Sequence, residues 1–266
     1  MAAQQPTLTH LITSLTALSL PTPTSTFLQP ILTPPTSNPT RTPPLAVLTA
    51  TAKHRLLSAS ITSSPSAPSI LIPSTPAFPG NISDVRVKER ALSEDVFVQV
   101  VDIQDLGRSK WEQIEGLEAE RKGETMKGRE VIRVVPAEEE EAGVAGTQSL
   151  PGQNHNQNQG NGNGNQTGDK SSRGPFKLLL QDWKGVVIWG FEVRKVEKVG
   201  LPPVMGIGCK LLLRRGTKVA RGMALLEPGN VVVFGGKIDS EDKAWRAGRE
   251  SRLRREVEER GDGEGE

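Results

Sequence analysis

Between residues 176 and 236 apolar and polar positions alternate with the period of two that half-buried β-strands require. In FKLLLQD, Phe176, Leu178 and Leu180 share one face. After a turn at Trp183-Lys184-Gly185, VVIWGFEV puts Val187, Trp189, Phe191 and Val193 together, with at least one of the two rings expected in the core. GIGCKLLLRR, RGMALLEP and NVVVFGG continue the series, broken by glycines that mark turns. The run predicts a small antiparallel barrel or sandwich.

Upstream, DVFVQVVDIQDL carries Val96, Val98 and Val100 on one face and Phe97, Val101 and Ile103 on the other. A strand apolar on both sides is expected to be covered on both. Ser109 and Glu112 then form a capping-box pattern that opens a helix with Trp111, Ile114 and Leu117 as its stripe. REVIRVV reads as a short strand ending at Pro136. Residues 137–172, with EEEE and QNHNQNQGNGNGNQ, contain no aliphatic side chain beyond Leu150 and predict a disordered, low-complexity tract within a long insertion.

Before the barrel, Leu8, Leu11, Leu15 and Leu18 recur at helical spacing behind Thr7 and stop at Pro21-Thr22-Pro23. Leu45, Leu48, Ala52, Leu56 and Ala59 form a second, longer stripe. Residues 1–83 are therefore a Pro/Ser/Thr-rich region with one or two short helices, its stretch to Pro44 a spacer and residues 62–83 a linker. Residues 84–240 form the barrel domain with its insertion. Residues 241–266 predict a charged helix and tail anchored by Trp245 and Leu253.

Composition narrows the chemistry. The 35% apolar share, 20 prolines and 27 glycines leave about half the chain able to build a core. Residues 1–83 hold no Asp or Glu, and the net charge of +2 conceals no dense basic block. The N-terminal composition partly matches a mitochondrial leader but is too poor in arginine and too rich in proline for an amphipathic helix. The single Cys209 has no disulfide partner and suits a reducing compartment, and no apolar run reaches bilayer-spanning length. His10, His54 and His155 lie in unrelated segments, which argues against a metal site. There is no G-x-S-x-G turn, and FGGK at Phe234 to Lys237 lacks the rest of a phosphate loop. No catalytic constellation emerges, and no cofactor is expected. The chemical alternative is a stand-alone single-stranded nucleic-acid binder, with Trp183, Trp189 and Phe191 beside Lys184, Arg194 and Lys195.

GPFKLLLQDWKG, GCKLLLRR and RGMALLEPGNVVVFGGKI, with the upstream VQVVDIQDLGRSKWEQIEGLEAERKGETMKGREVIRVVP, together resemble the RecQ-mediated genome instability family, its fungal members in particular, over about residues 84–245. The resemblance implies a mainly β chain: a single OB-like antiparallel barrel with N-terminal and C-terminal helices and long disordered insertions. It also implies a noncatalytic, nuclear subunit of the complex between a RecQ-family helicase and topoisomerase III. Such a subunit serves DNA replication, homologous recombination and repair, and meets DNA mainly through the complex. In the family the first OB strand matches Val96 to Ile103, and the connection after it docks on topoisomerase III and influences its DNA gate. That connection is Gln104 to Pro175 here, so Trp111, Ile114, Leu117, Arg129 and Arg133 are the implied partner-interface residues. Asp182, Lys210, Gly222, Leu226, Pro228, Asn230, Gly235 and Gly236 match the OB scaffold and are implied to set its shape. Phe27-Leu28 stands where members carry a Trp-Leu pair, so a reduced N-terminal bundle is expected.

Overall fold

The structure, a computed structural model, describes residues 7–33, 43–63, 68–122 and 174–261. The chain divides into two compact units, one of residues 1–117 and 172–266 and one of residues 118–171. Of the second, the described residues 118–122 continue a helix; the first holds the barrel. The expected strand 129–135 and the low-complexity tract lie outside the described residues. In chain order the elements are α1 (Leu8–Ala17), α2 (Ser25–Leu32), α3 (Leu45–Ser58), β1 (Arg90–Ala91), β2 (Val96–Asp105) and α4 (Lys110–Lys122). Then follow β3 (Phe176–Asp182), β4 (Val187–Glu192), β5 (Lys210–Leu213), β6 (Lys218–Ala220), β7 (Met223–Leu226), β8 (Val231–Gly235), α5 (Asp239–Ala247) and α6 (Arg249–Gly261).

The strands form one sheet in the order β1-β6-β7-β4-β3-β2-β5-β8, antiparallel except for the parallel pair β4 and β7. That order forces curvature. β7 and β8 stand five strand spacings apart, about 24 Å if the sheet were flat. Yet Leu226 and Val231 are five residues apart in the chain, which reaches at most about 18 Å. The sheet therefore curls around one core, in which Val96, Val98, Val100, Leu178, Leu211 and Leu226 are buried. Asn230 braces the closing turn, its amide donating to the Leu225 carbonyl (2.9 Å) while its side-chain oxygen accepts from the Glu227 N–H (2.9 Å).

The two apolar faces of β2 serve two cores. Phe97 faces outward with Leu212, and both lie under a helical layer containing Leu11, Leu15, Leu28, Leu48, Leu56 and Ile61. The register shifts between Val100 and Asp102. This irregularity returns Ile103 to the barrel interior, so it does not share a face with Phe97 as strict alternation predicts.

The N-terminal region is more built than its composition predicts. It holds three helices, the extra one being α2, where Leu28 and Ile31 are buried and Pro30 is accommodated inside the helix. The expected linker is also packed: Leu71, Phe78 and Ile82 are buried, and Ile70 and Ile72 exchange backbone hydrogen bonds with Thr24 and Thr22. Leu71 joins the helical core while Phe78 and Ile82 join the barrel core, isolated apolar side chains in a pattern without periodicity to detect. The charged C-terminal segment is two helices that meet at Gly248, with Trp245 buried.

β4 presents the opposite face from that expected. Ile188, Gly190 and Glu192 point inward, while Trp189 and Phe191 are half-buried on the exterior. The inward face was hidden because two of its three members are not apolar. Gly190 gives room to Leu226 and Leu180, and the Glu192 carboxylate accepts from the Phe176 and Val196 N–H groups (3.1 and 2.9 Å).

Candidate partner-docking site

The first OB strand, β2, pairs directly with the second, β3, with Asp105 opposite Phe176. Residues 106–175 thus leave and rejoin the sheet at one point. The Leu106 N–H donates to the Pro175 carbonyl (3.0 Å), and a β-carbon at Gly107 would collide with the Gly174 carbonyl. This forms a neck at which the two ends of the insertion touch.

Buried polar groups stiffen the neck. The Asp105 carboxylate, with no side-chain exposure, accepts from the Gly107 N–H (2.9 Å) and pairs with Arg108 (3.1 Å). Ser109 and Glu112 complete the expected capping box: the Ser109 N–H donates to the Glu112 carboxylate (2.9 Å) and the Glu112 N–H to the Ser109 hydroxyl (3.1 Å). Buried Gln113 donates to the carbonyls of Asp105 (3.1 Å) and Arg108 (3.0 Å) and accepts from Arg249 (3.0 Å). Lys110 pairs with Glu256, and the Trp245 indole donates to Asp102 (2.6 Å) while the guanidinium groups of Arg249 and Arg252 each stand over its ring. The start of α4 is thereby fixed to both the barrel and the C-terminal helices.

On this braced root Trp111 is 60% exposed and Leu106 47% exposed. Of the expected stripe, Ile114 is buried and serves the fold, and Leu117 is half-buried. The stripe is thus split between core and surface. Arg129 and Arg133 lie outside the described residues.

The four residues read as nucleic-acid contacts do not come together. Trp183 donates from its indole to the Thr75 carbonyl (2.9 Å) and packs at the edge of the helical core, with Lys184 over its ring. Arg194 and Lys195 lie beyond the opposite end of β4, where Lys195 sits over Phe176.

The scaffold positions occupy turns and the core. Asp182 is fully buried, accepting from the N–H groups of Phe78 (2.9 Å) and Val186 (2.8 Å). Leu226 is buried, Gly222 precedes β7, Pro228 lies in the β7–β8 turn, and Gly235 ends β8. Gly236 has φ +81° and faces the Leu57 carbonyl, where a β-carbon would clash. Lys210 is fully buried between the two cores and donates to the Gly208 and Leu57 carbonyls. Burial pushes its ammonium down to about 8 and the neighbouring Cys209 thiol up to about 11. Asp102, Asp105, Gln113, Glu192 and Arg249 escaped the sequence reading because their partners are mostly backbone groups and side chains brought close only by the fold.

Among the described residues no cluster of His, Cys, Asp and Glu could hold a metal, and no helix is long and apolar enough to cross a membrane. The buried carboxylates are engaged with backbone N–H groups, and the curled sheet with its first strand leading into a braced insertion defines an OB-fold barrel. The chain belongs to the family described as RMI1, N-terminal OB-fold domain, which it matches over residues 78–249. It is similar to RecQ-mediated genome instability protein 1 of Schizosaccharomyces pombe, with 26% identity over 154 residues, 58% of this chain and 60% of that protein.

Proposed function

We propose that this chain is a noncatalytic structural subunit of a complex between a RecQ-family helicase and a topoisomerase III, acting in the nucleus to maintain genome stability. The observation that carries the reading is the exposure of Trp111 at the braced root of the insertion between the first two OB strands. Large aromatics anchor protein interfaces when rigidly held at a surface. Family membership and the name of the fission-yeast relative support the RecQ connection.

The mechanism is a bias on the topoisomerase gate. An enzyme that passes one strand through another alternates between open and closed gates, and a subunit that binds one state better shifts the balance by its differential affinity. A preference of about 1.4 kcal/mol changes the ratio tenfold. The barrel supplies the docking body, and the insertion at its neck is the part that reaches the gate. DNA contact comes mainly through the complex.

The test is strand passage by topoisomerase III with the wild-type chain and with a variant whose residues 118–171 are replaced by a short Gly-Ser linker. The neck contacts lie outside the replaced segment, so the variant is expected to melt as the wild type does. Stimulation by the wild type and its loss in the variant support the reading. No stimulation by the wild type, or equal stimulation by both, overturns it.

A further inference from the structure

One edge of the sheet combines outward-turned backbone with positive charge. β1 is the last strand of the sheet and pairs with β6, Ala91 lying opposite Lys218. The Leu92 N–H donates to the Thr217 carbonyl (3.0 Å), so by the alternation of an antiparallel ladder the backbone groups of Ala91 turn away from β6. Exposed cations surround them. The run RRGTKVAR, residues 214–221, holds four bases and no acid, and Arg214, Arg215, Lys218 and Arg221 are all exposed. Exposed Lys88 joins them, because the Arg221 N–H donates to the Val87 (3.0 Å) and Lys88 (3.3 Å) carbonyls. Of these five, among the described residues, Lys218 alone forms an ion pair, with Glu89 (3.1 Å). Both members of that pair are exposed, so it is weak and readily exchanged.

We propose that this edge receives an extended acidic segment of a partner protein, which adds as a further strand beside β1 and sets its carboxylates against Lys88, Arg214, Lys218 and Arg221. Strand addition draws affinity from main-chain hydrogen bonds and selectivity from side chains at alternate positions. Ala91 supplies the main-chain groups, and its methyl, opposite Lys218, is small enough for the lysine to reach across it. From Arg214 to Arg221 the chain covers at most about 23 Å at strand rise, the length of a partner strand of about seven residues. The cations exceed what protection of the edge requires, since a strand as short as β1 is already blunted against unwanted pairing.

Composition selects a peptide over a nucleic acid here. Neither residues 84–95 nor residues 214–221 contain an aromatic ring, so unstacked bases find no platform. Asp84, Glu89, Glu94 and Asp95 share the edge with the cations. A DNA duplex carries a charge every ~1.7 Å and would press phosphates against those carboxylates. A peptide with acids at alternate positions meets the cations and leaves the carboxylates to solvent.

The test is fluorescence anisotropy of a fluorescein-labelled peptide, Asp-Thr-Glu-Thr-Asp-Thr-Glu, titrated with the full chain at ~50 and ~200 mM salt. The expected result is saturable binding that weakens at the higher salt. The double charge reversal Arg214→Glu with Arg221→Glu, at two exposed positions, should weaken binding ~10-fold or more and leave the melting temperature unchanged. The same peptide N-methylated at every residue keeps its charges but loses its main-chain donors, and should bind ~10-fold more weakly. No saturable binding at the lower salt overturns the proposal, as does binding that survives the charge reversal or the N-methylation. If a duplex oligonucleotide binds more tightly than the peptide and loses that binding on charge reversal, the edge belongs to nucleic acid and the proposal is wrong.

Discussion

Gly107 faces the carbonyl of Gly174 so closely that no side chain fits between them. The two glycines stand at opposite ends of the insertion, and their approach, with the Leu106–Pro175 hydrogen bond, lets a long segment be carried without opening the barrel. Past the register shift at Val100, the ladder between β2 and β3 pairs residue by residue from Asp102 to Asp105, right up to that neck.

Gly107→Ala should therefore destabilise the barrel by ~1–3 kcal/mol, because the added methyl meets backbone that cannot move aside cheaply. Gly116→Ala is the control: it lies in α4 with open space around it and should be neutral or stabilising by up to ~1 kcal/mol. Urea melts of both variants decide the matter. Equal effects would mean that the neck is not a tight contact.

Asp182→Ala removes the acceptor for two backbone N–H groups, one on the segment before the barrel and one in the β3–β4 turn. Two buried donors left unpaired cost roughly 2–6 kcal/mol in total. Chemical denaturation should show that loss, and hydrogen exchange should show faster opening around Phe78. An unchanged midpoint would show that water replaces the carboxylate without penalty.

Much of the barrel is legible because its strands obey the period of two: Phe176, Leu178 and Leu180 face the core as alternation dictates. Legibility fails where an inward position is not apolar. Glu192 and Gly190 disguise the inner face of β4 and send Trp189 outward. A register shift after Val100 likewise defeats simple alternation at Ile103. Helix α2 was obscured by Pro30, although Phe27, Leu28, Ile31 and Leu32 sit at helical spacing. The capping box before α4 was readable because its partners are three residues apart. The network behind it was not, because Gln113 and Arg249 meet only in the fold.

Lys210 should leave a signature in the pH dependence of stability. Its folded value is lowered by burial from 10.5 to about 8. Between those values the unfolded lysine keeps a proton that the folded one releases, so the unfolded state binds more protons and stability rises with pH. Below about pH 8 both states are charged and the effect levels off. Cys209 acts in the opposite sense, since burial raises its thiol from 9.0 to about 11 and stability falls with pH in that window. Between pH 8 and 9 Lys210 contributes a rise of about 1 kcal/mol, of which the Cys209 thiol offsets roughly a third, so stability should rise across that window. Lys210→Met should abolish that rise in urea melts taken at the two pH values. An identical rise in the variant would assign it elsewhere.

The most direct test of the central claim is isothermal titration of topoisomerase III with the full chain and with Trp111→Ala. The indole is exposed on a root held by other residues, so the substitution should leave the melting temperature unchanged. The account predicts a stable complex with the wild type and a loss of ~2 kcal/mol or more, a thirtyfold weaker Kd, in the variant. Equal affinities would show that the partner docks elsewhere on the chain, and no complex with the wild type would contradict the account outright.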